Sequence, residues 1–337
     1  MTAMYSDAFE DLLKGRCGPA VVRAIEAGGD VQVLWDAIVQ SGFLDLMAPE
    51  QAGGAAADLA DALPLFTALG AYAVPLPVGQ AIALRTLLPA GAAVPDGLPS
   101  FAPALRVGPD GALRAPRVPY GMLAGPVLGE LDGALCLLDA RAARRRDCGL
   151  HGEPTADLSW DAGVRQDAVR RLDDAGGAGG APGRLAAWGA ALHAALLTGA
   201  MTRCFEMSVQ YGNDRTQFGR SIGKFQAVQH QLAVMAEHVA AARIATAAAF
   251  RAGLAQPALL PAAIAKARAS EAAALAANTA HAVHGAIGVT EEYDLQLYTR
   301  RLHGWRLAHG SEAYWHQVIG AALMGSEEGA VQFVRAL

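Results

Sequence analysis

The second half of the chain carries four long apolar runs at helical spacing: Leu185 to Tyr211, Phe225 to Leu254, Ala262 to His284, and Ser311 to Met324. Four long helices with short joints have few ways to bury their apolar stripes, and the simplest is an antiparallel bundle. Val228, Leu232, Met235 and Val239 share one face of the second run. Pro257 and Pro261 mark the joint before the third, because proline cannot continue a helix interior. Alanine fills much of these runs and aromatics make up only 6% of the chain, which suits helices packed at close range.

Upstream, the pattern changes twice. From Tyr5 to about Leu98 it is helical. Leu34, Ile38 and Val39 recur at helix spacing before Ser41-Gly42, and Leu59, Leu63, Phe66 and Leu69 form a later run stopped by Pro75 and Pro77. Between Ser100 and Gly180 the apolar runs shorten, with turn signals at Pro109-Asp110-Gly111 and Asp132-Gly133, so a small β-domain is expected. Trp160, in the β-like segment Asp157 to Trp160, reads as core. The glycine-rich stretch at 173–183 reads as a flexible linker. The expected fold is α+β and mainly α. Its parts are a helical domain over 1–99, a shortened β-domain and linker over 100–183, and a four-helix bundle over 184–337.

Composition removes several function classes. With 53% hydrophobic and 18% charged residues, this is a globular chain. A net charge of −5 offers no basic face for nucleic acid. The one dense basic run, Arg141 to Arg146, reads as a solvated turn or subunit contact. Cys17, Cys136, Cys148 and Cys204 show no CxxC spacing, which argues against a metal site and a disulfide frame. The acidic N-terminus lacks the features of a signal peptide. The longest apolar run, Leu185 to Met201, is interrupted and shorter than the roughly 20 residues of a membrane span. A cytoplasmic protein with no membrane partner is expected.

Two segments carry most of the functional information: Asp214 to Ala233 (DRTQFGRSIGKFQAVQHQLA) and His284 to Arg301 (HGAIGVTEEYDLQLYTRR). The first opens on a fixed cation, Arg215, and places Phe218 and Gly219 at a turn before a helix starting near Phe225. The second places Gly285 and Gly288 where backbone could lie against a flat or phosphorylated ligand. Both resemble the C-terminal flavin-contacting segments of acyl-CoA dehydrogenases, in that family's order and near its separation. The order of helices, strands and bundle is that family's too, and Leu46 to Gly54 resembles its N-terminal "PExxGG" loop.

The resemblance implies FAD as cofactor, an acyl-CoA thioester as substrate and an electron-transfer flavoprotein as acceptor. In the family, one subunit's bundle contacts the adenine and pyrophosphate end of its neighbour's FAD, where a guanidinium and a helix N-terminus suit a diphosphate. Carried over, that role falls to Arg215, Thr216, Gln217, Phe218, Phe225, Gln226, His284 and Gly285, with Ser311 as a hydroxyl partner of the cofactor. Ala282 stands where the family usually has glutamine.

The same resemblance exposes a gap. α,β-Dehydrogenation needs a carboxylate base, which the family places either just before the final-loop glycine or early in the bundle's first helix. Here those positions are His309 and Gly189. The family's "TEPxxGSD" flavin segment and its tryptophan-bearing strand are also missing. The combination resembles the short, glutamate-lacking subunit of heteromeric bacterial acyl-CoA dehydrogenases of steroid side-chain degradation, and Tyr298 to Arg301 and Gly310 to Tyr314 look like that set. Such a subunit would pair with a full-length homologue in an α₂β₂ complex. Two other readings stay open: a self-sufficient flavoenzyme with His309 as base, and an assembly protein that binds no flavin.

Overall fold

The computed structural model describes residues 2–89, 91–149, 153–172, 183–253, 255–327 and 329–335; the expected linker at 173–182 lies outside them. Five helices open the chain: α1 (Thr2–Arg16), α2 (Pro19–Glu26), α3 (Gln32–Gln40), α4 (Leu59–Ala71) and α5 (Val78–Leu87). Asp58 caps α4 by accepting from the Asp61 amide at 2.8 Å. The run stopped by Pro75 and Pro77 ends at Ala71, and α5 starts directly after Pro77.

Two four-stranded sheets follow. The strands are β1 (Ser100–Phe101), β2 (Arg106–Val107), β3 (Leu113–Val118), β4 (Pro126–Leu131), β5 (Ala134–Asp139), β6 (Arg144–Asp147), β7 (Ala156–Trp160) and β8 (Val169–Arg171), with α6 (Ala162–Ala168) before the last. One sheet has the order β1-β4-β5-β8 and the other β2-β3-β7-β6. Asp132 (φ 53°) and Gly133 (φ 78°) form the two-residue turn joining β4 to β5, as expected from the dipeptide. Trp160 is fully buried, and its Nε1 donates to the Asp139 carbonyl at 2.8 Å, tying one sheet to the other.

The Arg141 to Arg146 run is largely solvated, but it is not the turn expected from sequence, because Arg144 to Arg146 lie in β6 and pair with β7. Arg141, Arg144 and Arg146 pair with Asp139, Asp161 and Asp157. Arg145 has no such carboxylate partner among the described residues: it donates to the carbonyls of Gly121, Met122, Ala124 and Ala140, tying that loop to the end of β5.

The bundle is α7 (Arg184–Asp214), α8 (Gln226–Ala252), α9 (Leu259–His284), α10 (Leu295–Leu307) and α11 (Glu312–Met324), with a two-stranded ribbon of β9 (Thr216–Gln217) and β10 (Arg220–Ser221) after α7 and a short α12 (Ala330–Arg335) at the end. α10 is an addition to the four expected runs. It locks the N-terminal region in place. Its Arg300 and Arg301 pair with Glu26 of α2 at 2.7 and 2.5 Å, and Arg23 of α2 reaches Asp294 at 2.7 Å.

α7 and α8 are both long and apolar enough to cross a membrane, with mean hydropathy 1.3, which corrects the expectation from the interrupted run Leu185 to Met201. Their surroundings differ. In α7, 89% of the apolar window is buried inside the protein, whereas in α8 only 28% is. α7 is the core helix, and α8 leaves an apolar face uncovered.

Glu153, after β6, accepts from Trp305 Nε1 of α10 at 2.6 Å. Burial pushes its carboxyl from 4.5 up to about 7, opposed by the Trp305 hydrogen bond and the Arg301 charge. The folded state therefore favours the protonated acid. That contribution is complete below the unfolded value and is lost as pH rises through about 7. Glu153→Gln keeps an acceptor for Trp305 without a charge. The variant is expected to match the parent in denaturant unfolding near pH 4 and to exceed it by about 2 kcal/mol near pH 8. Equal stabilities at both pH values would contradict this.

Candidate functional site: a closed reactive end and an open distal end

The two expected base positions come together in space. Gly189 sits in the second turn of α7 and His309 in the loop between α10 and α11. A Cβ on Gly189 would stand 2.2 Å from His309 Nδ1. The imidazole therefore occupies the volume that any larger side chain at 189 would need. One position can hold a side chain only if the other yields.

The loop around His309 is held tightly. His309 has a left-handed φ of 53°, uncommon for a side chain of that size, and Gly310 follows at 98°. A Cβ on Gly310 would meet Tyr314 Cδ1 at 2.5 Å. Trp315 Nε1 donates to the His309 carbonyl at 3.0 Å. Below lies Lys266, fully buried, whose Nζ donates to Ser270 Oγ and to the carbonyls of Arg306 and Gly310, each at 2.9 Å. Burial lowers the Lys266 ammonium from 10.5 to about 7.

The His309 ring packs on His193 at 4.8 Å and meets the edge of Phe101 at 6.1 Å. Burial, then the nearby Lys266 charge, drives its pKa to about 3. Its Nε2 has no partner among the described residues, so it does not cap helix carbonyls as a loop histidine ordinarily would. Glu312 turns away to pair with Arg306. The two expected base positions thus hold a packed, neutral imidazole pair, with no carboxylate in contact among the described residues.

The other end of α7 is open. Arg215 closes the helix through its amide to the Tyr211 carbonyl at 2.9 Å, and its own carbonyl accepts from Ile222, which pins the ribbon. The Arg215 side chain is exposed and has no carboxylate partner among the described residues. Thr216 and Gln217 form β9, opposite Ser221 and Arg220. Phe218 (φ 52°) and Gly219 (φ 77°) make the turn, and Phe218 is 93% exposed. Phe225 immediately precedes α8 and carries the Arg220 guanidinium 4.1 Å above its ring, and Gln226 is exposed in the first turn. This ribbon presents cation, aromatic face and helix N-terminus together.

The end of α9 meets the same region. His284 stacks on Tyr211 at 4.5 Å, and its Nδ1 contacts the Ala280 carbonyl at 2.8 Å. Its Nε2 is buried without a partner among the described residues. Gly285 follows with φ 64° and ψ −144°, a conformation that favours glycine, and no atom lies within 4 Å of where its Cβ would be. Ser311 falls elsewhere. It caps α11, two residues from His309, and so belongs to the end near Gly189. The 26-residue span from Gly189 to Arg215 is about 39 Å of helix, which separates Ser311 from the Arg215 group.

Tyr211, His193, Phe101 and Lys266 were not singled out in the sequence. Lys266 had a visible signal, as one of two cations, with Arg268, in an alanine run, and His193 lies one turn after Gly189.

A family model described as "Acyl-CoA dehydrogenase, C-terminal domain" matches residues 181–324. Acyl-CoA dehydrogenase IpdE2 of Mycobacterium tuberculosis is 33% identical over 313 residues, covering 89% of this chain and 90% of that protein. The chain belongs to the acyl-CoA dehydrogenase family. Members of that family bind FAD. Two solved structures show the shared architecture. The ChsE4–ChsE5 complex from Mycobacterium tuberculosis matches with TM-score 0.83 and 22% identity over 97% of this chain and 98% of that one. A steroid ACAD matches with TM-score 0.77 and 22% identity over 96% and 97%. Within the acyl-CoA dehydrogenase fold, this chain keeps the C-terminal bundle and packs His309 into the space beside Gly189.

Proposed function

We propose that this chain is the glutamate-lacking subunit of a heteromeric acyl-CoA dehydrogenase, acting on acyl-CoA thioesters of the steroid-degradation type. In this reading it contributes the adenine and pyrophosphate side of an FAD site that a full-length homologue completes. The observation carrying the proposal is the contact of Gly189 with His309, which leaves no carboxylate and no room for one at the reactive end. Two features of the comparisons support it: one fold neighbour is a complex of two named chains, and another is a steroid ACAD.

The distal residues fit a dinucleotide. Arg215 offers a free guanidinium at a helix end, Gly285 an uncovered backbone, and His284 an unpaired Nε2 beside them. The bound flavin would supply hydride acceptance; this chain's part is to hold and orient the end remote from that chemistry. The uncovered face of α8 supports pairing with another subunit.

Arg215→Ala tests this reading. A charge-assisted contact to phosphate is worth about 1.5–3 kcal/mol, so the co-expressed complex is expected to retain FAD about ten- to a hundredfold more weakly. Its melting profile should be nearly unchanged, because an exposed residue at a helix end carries little core area. Unaltered flavin content at limiting FAD would show that this face of the bundle does not meet the cofactor.

A further inference from the structure

A groove of about 1120 Å³ runs between α1, α4, α7, α8 and α10, and none of Gly189, His193, His309, Arg215 or His284 lines it. It belongs to neither end described above. Its apolar lining includes Leu13, Val22, Leu63, Ala68 and Leu297. Two buried hydroxyls in the lining, Thr198 and Thr246, satisfy each other at 3.1 Å, so they demand nothing from a ligand.

The charges around the groove are uneven. Each of its three acids is already paired: Glu10 with Lys14 at 3.8 Å, Glu206 with Arg203 at 3.4 Å, and Asp294 with Arg23 at 2.7 Å. Arg243 and Arg251 also line it, and neither has an ion-pair partner among the described residues. Both are exposed on α8, eight residues apart, so their Cα atoms lie about 12 Å apart along one side of the helix. Two uncompensated guanidiniums stand beside an apolar trough, in a chain whose net charge is −5.

We propose that this groove binds an amphipathic anion, an apolar chain or ring body ending in a carboxylate or phosphate head. The body would displace water from the trough, and the head would take charge-assisted hydrogen bonds from Arg243 and Arg251, whose planar forks match carboxylate and phosphate oxygens. A neutral ligand would gain the apolar term alone. The charge surplus is what selects an anion.

Titration calorimetry on the co-purified complex separates the sources, with dodecanoate as a free acid, dodecanoyl-CoA as a thioester and dodecyl maltoside as the uncharged control. The thioester also enters the partner's catalytic site, so its arm counts only binding that the variants remove. Saturable binding of either anion is expected, weakened about tenfold or more in Arg243→Glu/Arg251→Glu. Ala247→Phe, which keeps both cations and fills the trough, is expected to produce a similar loss. Dodecanoate binding alone would assign a free acid, and variant-sensitive thioester binding alone a CoA ester. Three results would overturn the proposal: no anion binding, equal affinity for dodecyl maltoside, or unchanged affinity in both variants. So would dissociation of the complex by these substitutions, which would make the groove a subunit contact.

Discussion

The chain expressed alone is expected to show no appreciable dehydrogenation of straight-chain acyl-CoA thioesters with an artificial electron acceptor, and His309→Ala is expected to leave that blank unchanged. α-Proton abstraction needs a base whose pKa lies near the working pH, and a positioned base contributes about 10²–10⁴-fold. A carboxylate is absent from both positions that could supply one. The imidazole that stands there is held neutral, with its pKa driven to about 3 by burial and by Lys266. A group so weakly basic takes up a thioester's α-proton poorly, and its ring is enclosed by His193 and Phe101. Robust turnover that vanished in His309→Ala would establish histidine as the base and return the chain to the self-sufficient class.

Substituting either of two glycines between α4 and α7 is expected to be the most damaging single change to stability. A Cβ on Gly199 would lie 1.9 Å from the Thr67 carbonyl oxygen, and one on Gly70 would lie 2.0 Å from that of Leu196. The contacts are reciprocal, and both obstacles are backbone. No rotamer change relieves them; the helices must separate. Because α7 is the core helix, separation opens the main hydrophobic cluster along Leu65, Phe66 and Leu69. Gly199→Ala or Gly70→Ala is therefore expected to cost about 3 kcal/mol, the upper end for overpacking. Gly304→Ala is the control, since nothing lies within 4 Å of its added methyl; removing a mid-helix glycine there should stabilise by about 0.5–1 kcal/mol. Denaturant unfolding of the co-expressed complex measures all three. Equal midpoints for Gly199→Ala and the parent would mean that α4 and α7 adjust freely.

Periodicity made the long helices legible, because α7, α8 and α9 each sustain an apolar pattern over many turns. Asp132-Gly133 was legible for a different reason: a two-residue loop with both φ angles positive admits few dipeptides. α10 was not separated out. Its segment carries the charged pair Arg300-Arg301 inside an apolar pattern, and both pair with Glu26, a residue in a helix far away in the chain, with Arg301 buried there. Arg145 was unreadable on the same ground, since its four carbonyl acceptors are set by the fold.

The candidate site divides in the same way. Arg215, Phe218 and Gly285 follow from local motif and backbone conformation. The fit of His309 into the space left by Gly189 joins residues 120 apart in the chain, so only the tertiary structure brings it to light. Ser311 was legible only as a hydroxyl; its place at the N-terminus of α11, two residues from His309 and away from the Arg215 group, is set by the fold.

The proposed role requires an incomplete site that another subunit completes. The most direct test is co-expression with the product of a neighbouring full-length acyl-CoA dehydrogenase gene, followed by measurement of subunit and flavin stoichiometry. A stable complex of the two different chains carrying about one FAD per heterodimer is expected, as a site shared between unlike subunits requires. A stable homodimer or homotetramer of this chain with one FAD bound to every copy would contradict it.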